Sequence, residues 1–190
     1  MTNPPFAGEI TQAEVLGGYD LAYKGDPATH RQRARKVERD VLFIERCLRF
    51  LRPGGRMAIV LPQGIFNNTS EQFIRDYVLR YARLLAVVGL HGNMFKPFTG
   101  TKTSVMFIQK WASEEQKAAA GDYRIFFATN QRPGKDNSGE YIWVDTKTRE
   151  RIRDTRGKRL GEDIALDHDL DDIAEAFKAF AKEERLDFFV

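Results

Sequence analysis

The sequence is poor in the residues that build disulfide frameworks, metal centres and membrane anchors. Cys47 is the single cysteine among 190 residues, and the three histidines are scattered. These counts argue against a disulfide-stapled scaffold and a cysteine-rich zinc site, and they predict no bound metal. No apolar run approaches the length of a membrane span, and the amino terminus lacks the apolar core of a signal peptide. We therefore expect a cytoplasmic protein with no membrane association.

The residues that are present describe an ordinary globular composition with a slight excess of positive charge. Apolar residues make up 42% of the chain, charged residues make up 30%, and the formal net charge is +3. The length suffices for one domain with a substantial core. Such a mildly basic chain is compatible with a nucleic-acid partner, although the charge alone does not identify one.

Alternating helical and strand patterns predict an α/β fold. The predicted elements are a helix over residues 37–51, a buried strand over 56–61, a helix over 70–82 and a strand over 84–90. Thr69 and Gln72 have the spacing of a capping box for the second helix. A third strand is predicted over 103–109, and the loop before it is too short for a helical crossover, so we expect it to return antiparallel.

The flanking regions have a different character. Residues 7–36 predict a long polar loop, and the composition changes after Trp111. We therefore predict one domain over residues 1–112 and an extension over 113–190, which ends in an amphipathic helix capped by Asp169. Seven basic and two acidic side chains occupy the segment 147–159. That segment is either a solvated loop or hairpin or a phosphate contact, and the sequence favours neither.

Asn3-Pro4-Pro5-Phe6 is the most informative stretch of the chain. The two prolines fix φ at about −65° and remove two backbone N–H donors, and Pro4 also favours an extended Asn3. Asn3 offers a side-chain carbonyl oxygen, and Phe6 offers a flat apolar ring. Rigid acceptors beside an aromatic ring suit a planar ring that carries an exocyclic amine. The alternative is a proline turn with a buried phenylalanine.

Three stretches together resemble the N6-adenine DNA methyltransferases that serve as modification (M) subunits of type I restriction–modification systems. They are residues 3–6, residues 41–68 around Pro53-Gly54-Gly55-Arg56, and residues 95–108 around Thr99-Gly100-Thr101-Lys102-Thr103-Ser104. The resemblance extends over residues 1–112 and is loose beyond them. It implies a partial class I S-adenosylmethionine-dependent methyltransferase fold, Rossmann-like, with a mixed sheet that contains an antiparallel return strand.

The resemblance also assigns roles to individual residues. Within the catalytic segment Asn3, Pro4, Pro5 and Phe6, the Asn3 side-chain oxygen and the Pro4 carbonyl would accept hydrogen bonds from the N6 amine of a flipped adenine. Phe6 would stack on that base. Phe95 and Phe98 fall in the family segment that adds contact to the target base, with core packing beneath the loop as the alternative.

Basic residues near these stretches are candidates for contact with DNA phosphates. The run over residues 30–36 contributes Arg31, Arg33, Arg35 and Lys36, and the loop after Phe98 contributes Lys102. The alternative for the run is a solvated helix start.

The sequence departs from the family at the methyl-donor site. In the resembled family a glycine-rich turn after the first strand and an acidic residue after the second build most of that site, and both precede the Asn-Pro-Pro-Phe motif. No such glycine element follows a strand here. We therefore expect the C-terminal part of a larger methyltransferase that lacks its N-terminal strands and is inactive alone. The strand over 56–61 would then expose an edge that favours self-association.

The resemblance implies S-adenosylmethionine as cofactor and three partners. These are double-stranded DNA, a specificity subunit, and a restriction subunit where the system has one. Two other functions stay open at this point. One is an amino-group methyltransferase acting on RNA or protein, and the other is a non-catalytic DNA-binding or assembly fragment.

Overall fold

The computed structural model describes residues 1–24 and 32–186, which group into two compact units. The boundary predicted after residue 112 falls inside the first unit. The first unit comprises Met1–Val87 and Ser104–Ile125, and the second comprises Val88–Thr103 and Phe126–Val190.

The first unit contains the predicted helices and strands in the predicted order. Its strands, the last two of which extend into the second unit, are β1 (Glu9–Ile10), β2 (Tyr23–Lys24), β3 (Gln32–Arg33), β4 (Val37–Glu38), β5 (Arg56–Pro62), β6 (Ala82–Gly89) and β7 (Thr103–Lys110). Its helices are α1 (Ala13–Leu16), α2 (Arg39–Phe50), α3 (Gly64–Asn67), α4 (Gln72–Tyr81) and α5 (Glu114–Ala120).

Hydrogen bonds at the strand ends fix the direction of β7, which lies between β5 and β6. The Lys110 N–H donates to the Gly55 carbonyl at 2.8 Å, beside the amino end of β5. The Trp111 N–H donates to the Tyr81 carbonyl at 3.0 Å, beside the amino end of β6. The carboxyl end of β7 therefore meets the amino ends of both neighbours, which makes β7 antiparallel to each. This geometry confirms the predicted return strand in a mixed sheet.

One continuous core lies between this sheet and helices α2 and α4. The helical stripes of α2 and α4 contribute Val41, Ile44, Leu48, Ile74 and Val78, and the strands contribute Met57, Ile59, Leu61, Ala82, Met106 and Ile108. Fully burying one aliphatic side chain of this kind contributes about 1.5–3 kcal/mol. The hydrophobic pattern that predicted these helices and strands is thus the pattern that builds the core.

The predicted capping box of α4 is wrong. A 3₁₀ turn over Thr69–Glu71 precedes the helix, and Glu71 occupies the cap position without a side-chain hydrogen bond. The Gln72 amide instead donates to the Asp76 carboxylate at 2.8 Å. The 3₁₀ turn moves the helix start beyond the predicted cap, so Gln72 pairs four residues ahead along the helix.

The amino-terminal loop predicted over residues 7–36 is also wrong in part, because it contains α1, a 3₁₀ turn and short strands. Its residues Leu16 and Leu21 are buried. The fully buried carboxylate of Glu45, on α2, accepts hydrogen bonds from the Asp20 N–H at 2.9 Å and from the Leu21 N–H at 2.8 Å. These bonds satisfy the backbone donors of the segment and dock it onto α2.

The second unit contains a three-stranded antiparallel sheet, one further strand and a helix. Its strands are β8 (Phe126–Thr129), β9 (Trp143–Asp145), β10 (Arg151–Ile152) and β11 (Ile164–Leu166), and its helix is α6 (Leu170–Glu183). Strand β9 lies between β10 and β11 and is antiparallel to both. The Phe126 ring packs against Phe177 and Phe180, with ring centroids 5.3 and 5.6 Å apart. The predicted last helix therefore packs within its own unit through these three rings.

Candidate functional site

The Asn3-Pro4-Pro5-Phe6 segment leaves the edge of strand β5. Thr2 lies opposite Ile59 in a parallel bridge, with its N–H donating to the Ala58 carbonyl at 2.9 Å and its carbonyl accepting from the Val60 N–H at 3.1 Å. Because this pairing is parallel, the chain after Thr2 continues toward the carboxyl end of β5. In open α/β sheets, ligands bind outside the carboxyl ends of the strands.

This pairing modifies the expectation that the strand over residues 56–61 exposes an unpaired edge. Thr2 occupies that edge over the length of one residue, on the side of β5 opposite β7. Ile59, which faces Thr2, is fully buried. The edge is therefore partly paired by the residue that precedes the motif.

The four motif residues differ in how far they are exposed to solvent. Asn3 and Pro5 are exposed, Pro4 is buried and Phe6 is half-buried. Within residues 1–24 and 32–186, no hydrogen bond engages the Asn3 side chain. The buried Pro4 ring thus anchors an exposed amide whose oxygen can accept from a ligand.

The loop over residues 91–102, in the second unit, contains both candidate target-base rings. The Phe95 carbonyl accepts from the Phe98 N–H at 3.0 Å and from the Thr99 N–H at 3.1 Å, which closes a tight turn. The Phe98 side chain is 91% exposed, whereas Phe95 is half-buried. Packing beneath the loop therefore describes Phe95 better, and Phe98 presents its ring to solvent.

A neighbouring segment of the second unit holds this loop in place. The Lys135 ammonium donates to the Lys96 carbonyl at 3.0 Å, and the Asn93 amide donates to the Lys135 carbonyl at 3.4 Å. Gly139 lies in the left-handed region with φ +98°, and a Cβ there would fall 2.7 Å from the Pro97 nitrogen. The loop therefore depends on a glycine for the close approach of two backbones.

A buried polar pair fixes the start of the same loop. Asn130 is 1% exposed, its side-chain oxygen accepts from the His91 N–H at 3.2 Å, and its amide donates to the Asp169 carboxylate. Asp169 also accepts from the Gln131 N–H at 2.8 Å and from the Arg132 N–H at 3.2 Å. Partial burial opposes ionisation of Asp169, but these donors outweigh it and lower the pKa of the carboxyl group.

This role of Asp169 differs from the predicted one. Asp169 occupies the cap position of α6 as predicted, but its side chain makes no capping hydrogen bond. Its carboxylate is turned to Asn130 and to the backbone after β8 instead. The partners lie almost forty residues away in sequence, so no local pattern signals them.

The phosphate candidates of the basic run that the structure describes, Arg33, Arg35 and Lys36, are exposed and differ in their contacts. Arg31 lies outside the described residues. The Arg33 guanidinium donates to the Ala13 carbonyl at 3.1 Å. Arg35 is exposed, and no ion pair engages it in the part of the chain that the structure describes.

The remaining two phosphate candidates contrast with each other. The Lys36 ammonium lies 2.8 Å from the Glu9 carboxylate, and the hydrogen bond to Glu9 raises the pKa of Lys36. Lys102 is exposed and has no carboxylate partner among the described residues. Contact between Lys36 and a phosphate would thus compete with Glu9.

The described residues contain no cluster of metal-ligating side chains, and the one cysteine among them is half-buried. No group of three or more histidine, cysteine or acidic side chains in residues 1–24 and 32–186 could hold a metal ion. Cys47 is half-buried, and its burial raises the pKa of the thiol, which disfavours the thiolate. In the same part of the chain, every helix is too short or too polar to cross a membrane.

The segments that follow strands β5 and β6 bear on where a nucleotide-like cofactor could bind. Strand β5 leads into Gln63-Gly64 and strand β6 into Leu90-His91, so neither is followed by a glycine-rich turn. Such a turn is what lets a backbone approach a nucleotide-like cofactor closely. These strands therefore provide no cradle for the donor.

Comparison with known proteins identifies the family that this arrangement matches. The model of the N-6 DNA Methylase family matches residues 1–185. The methylase subunit of the type I restriction enzyme EcoEI, from Escherichia coli, is 32% identical over 111 residues, which cover 58% of this chain and 20% of that protein. The chain thus spans about a fifth of the length of this curated relative.

Two solved structures resemble the chain at low sequence identity. A Listeria monocytogenes protein described as a class I S-adenosylmethionine-dependent methyltransferase is 16% identical with a TM-score of 0.50, covering 64% of this chain and 33% of that one. A Vibrio vulnificus YJ016 protein described as a modification subunit of a type I restriction enzyme is 21% identical with a TM-score of 0.47, covering 73% and 25%. The Listeria likeness supports the predicted class I methyltransferase fold.

Proposed function

Because this chain belongs to the N-6 DNA Methylase family, we propose that it carries the target-adenine half of a DNA adenine-N6 methyltransferase. The enzyme would be the modification subunit of a type I restriction–modification system. The observation that carries the proposal is the placement of Asn3-Pro4-Pro5-Phe6. This segment leaves a parallel bridge toward the carboxyl end of β5, with the Asn3 amide exposed and unengaged.

Asn3 and Pro4 would act on the amine of the base. The adenine N6 lone pair is conjugated with the ring, so the nitrogen is a poor nucleophile until positive charge on it is stabilised. The Asn3 side-chain oxygen and the Pro4 carbonyl would accept hydrogen bonds from its two N–H groups and stabilise that charge as the new N–CH₃ bond forms. The bond between this methyl group and the donor's sulfur would break with its electron pair left on sulfur, and the methylated amine would release one N–H proton to water. The rigid prolines hold both acceptors in place before the reaction begins.

Phe6 would stack on the flipped base. One ring of the loop over residues 91–102 would make a further contact with that base. Extruding a base from a duplex costs a few kcal/mol. Stacking on one aromatic side chain returns about 1–3 kcal/mol per base. Phe98 has the more exposed ring of the two loop candidates, so we assign the contact to Phe98 and packing under the loop to Phe95.

Other parts of the whole protein would complete the enzyme. S-adenosylmethionine, the cofactor of the class I fold, supplies an electrophilic methyl group when bound. The strands described above provide no glycine-rich cradle for it, and the chain spans a fifth of its curated relative. We therefore assign the donor site to residues of the whole protein beyond this chain. A specificity subunit would select the DNA sequence, and a restriction subunit would join where the system has one. DNA phosphates would contact Arg31, Arg33, Arg35, Lys36 and Lys102.

The decisive experiment measures methyl transfer from labelled S-adenosylmethionine to duplex DNA. It uses the chain within the longer protein encoded at its own locus, together with the specificity subunit. Asn3→Ala removes one acceptor, and we expect the rate to fall on the order of 100-fold or more. Asn3→Asp keeps an oxygen acceptor and serves as the matched control, with a smaller loss. An Asn3→Ala protein that methylates at the normal rate contradicts the proposal.

A second candidate function is a non-catalytic DNA-binding or assembly fragment. The absence of a glycine-rich turn after β5 and β6 favours it for the 190-residue chain alone. Calorimetric titration of S-adenosylmethionine separates the two functions. Binding only by the longer protein supports a site shared between segments. Binding by neither protein supports the non-catalytic fragment, and methylation of RNA or protein instead of DNA would identify the remaining alternative.

A further inference from the structure

The second unit contains a strongly basic segment to which the site above gives no role. We call residues 145–163 the basic hairpin, because they lead from the end of β9 through β10 to the start of β11. Basic side chains alternate along its first part at Lys147, Arg149, Arg151 and Arg153. Only Arg151 of these four lies in strand β10, because Lys147 lies in the turn after β9 and Arg149 has a positive φ of +61°. Arg151 and Arg153 are exposed, and the intervening Ile152 is half-buried.

Two carboxylates of the hairpin, those of Asp145 and Asp163, accept hydrogen bonds from its backbone. The Asp145 carboxylate accepts from the backbone N–H groups of Lys147 at 2.8 Å and Thr148 at 3.0 Å. The Asp163 carboxylate accepts from the Arg159 N–H at 2.9 Å. These carboxylates close turns of the backbone.

The basic side chains consequently divide into two classes. Three of them form ion pairs: Arg149 with Asp167 at 3.7 Å, Arg156 with Asp154 at 2.7 Å and Arg159 with Glu162 at 2.5 Å. Four others have no carboxylate within ion-pair distance among the described residues, and these are Lys147, Arg151, Arg153 and Lys158.

The backbone that presents these cations is held by its own hydrogen bonds. The Asp145 N–H donates to the Glu150 carbonyl at 2.9 Å, and the Thr146 hydroxyl donates to the Glu162 carbonyl at 2.6 Å. The Thr146 N–H donates to the Asp163 carbonyl at 3.2 Å. The backbone that presents the cations is therefore fixed in the absence of a ligand.

We propose that the basic hairpin binds the phosphate backbone of duplex DNA. A single small anion would use one or two of the four unpaired cations, whereas a row of phosphates can use all of them. Arginine also offers a planar fork that matches a phosphate bidentately. The choice of DNA as the polyanion rests on the proposed function. Contacts between these cations and phosphates do not read base edges, so they add affinity and not sequence preference.

Salt-dependent DNA binding tests this proposal with two matched double variants. Arg151→Gln with Arg153→Gln removes two unpaired cations, and Arg156→Gln with Arg159→Gln removes two paired ones. Both variants change the net charge equally, so they share the same long-range effect. The assay measures fluorescence anisotropy of the 190-residue chain with a labelled duplex of about twenty base pairs, long enough for several phosphate contacts.

The unpaired variant should lower the slope of log K against log salt by about 1.8, which is two phosphate contacts at about 0.9 each. The paired variant should lower it by less than half of that amount. Should the first variant fail to fold by circular dichroism, Lys147→Gln with Lys158→Gln replaces it, with the same expectation.

Three results would overturn the proposal. They are equal slopes for the two variants, absence of duplex binding by the unaltered chain at low salt, and competition by poly-glutamate as strong as competition by duplex DNA. The last result would indicate an acidic protein partner. If only the hairpin proposal is wrong, methylation still depends on Asn3. If the proposed function is wrong, the hairpin still binds DNA but no methylation occurs. The two failures are therefore distinguishable.

Discussion

Gly139 lies against the backbone of Pro97 so closely that no side chain fits between them. A Cβ on Gly139 would meet the Pro97 nitrogen at 2.7 Å and the Lys96 carbonyl carbon at 2.8 Å, and both are backbone atoms. Backbone atoms cannot rotate away as the end of a flexible side chain can. The loop over residues 91–102, which contains Phe95 and Phe98, can therefore take this position only because residue 139 is a glycine.

Gly139→Ala should destabilise the second unit and loosen this loop. Overpacking of this kind costs about 1–3 kcal/mol. The matched control is Gly157→Ala, because Gly157 also has a positive φ, +72°, but nothing within 4 Å of its added Cβ. Both variants place alanine at a positive φ, so the difference between their free energies of unfolding reports the clash of the added Cβ with the backbone of Lys96 and Pro97. Urea unfolding and hydrogen exchange over residues 91–102 measure it, and equal losses would mean that the approach to Pro97 is relaxed in solution.

Glu45→Gln should destabilise the first unit. The amide has one acceptor oxygen instead of two, and it places an N–H donor beside the donors of Asp20 and Leu21. An unsatisfied buried donor costs about 1–3 kcal/mol. Glu175→Gln serves as the control, because Glu175 pairs with Lys178 on the exposed surface of α6, where an ion pair contributes about 0–1 kcal/mol. Similar unfolding free energies for both variants would mean that Glu45 does not dock the amino-terminal segment.

Asp40 should make the protein less stable as the pH rises toward neutrality. Burial, opposed by the Val41 N–H and reinforced by Glu38 and Glu71, raises the pKa of Asp40 from the ordinary 3.8 to about 6. The folded state therefore binds this proton more tightly than the unfolded state does. The stability contributed by protonated Asp40 is complete below pH 3.8 and is lost as the pH passes through about 6.

Asp40→Asn removes this titration. We expect the variant to gain stability relative to the unaltered chain between pH 4 and pH 7, with urea unfolding as the measurement. Its amide oxygen can still accept from the Val41 N–H, which the Asp40 carboxylate now binds at 3.0 Å. Asp122→Asn, at an exposed position, is the control for removing one acidic group. A stability difference that does not change with pH would show that Asp40 does not titrate in this range.

Phe98→Ala and Phe95→Ala should affect different properties. Phe98 is 91% exposed, so its truncation should leave stability within about 0.5 kcal/mol of the original and weaken capture of the flipped base. Phe95 is half-buried, so its truncation should lower stability first. Fluorescence of 2-aminopurine at the target position, in the longer protein with its specificity subunit, reports base capture. If Phe95→Ala weakened base capture and Phe98→Ala lowered stability, the roles of the two rings would be exchanged.

The sequence predicted those parts of the fold whose signal is local. Helix α2 and strands β5, β6 and β7 follow from hydrophobic periodicity, and the antiparallel direction of β7 follows from the length of the loop before it. The Asn3–Phe6 motif was visible because its chemistry lies in four consecutive residues. At the start of α4, residues 69–71 form a 3₁₀ turn instead of the predicted capping box.

The parts that could not be predicted depend on contacts between distant residues. Glu45 looks like an ordinary helix-surface acid, yet the segment around Leu21 buries it. Asn130 and Asp169 meet across thirty-nine positions, and Gly139 reaches Pro97 from a similar separation. Each of these pairs exists only because the chain has already folded, so neither propensity nor spacing encodes it locally.

The bridge between Thr2 and Ile59 means that the strand register at Thr2 determines the position of the motif. One backbone pair sets where Asn3 lies along strand β5 and which way its amide points. A single residue inserted between Thr2 and Asn3 would shift the segment by about 3.3 Å and reverse the direction of every extended side chain up to the prolines. Chain length at this junction is therefore as strong a constraint on the site as the chemistry of its side chains.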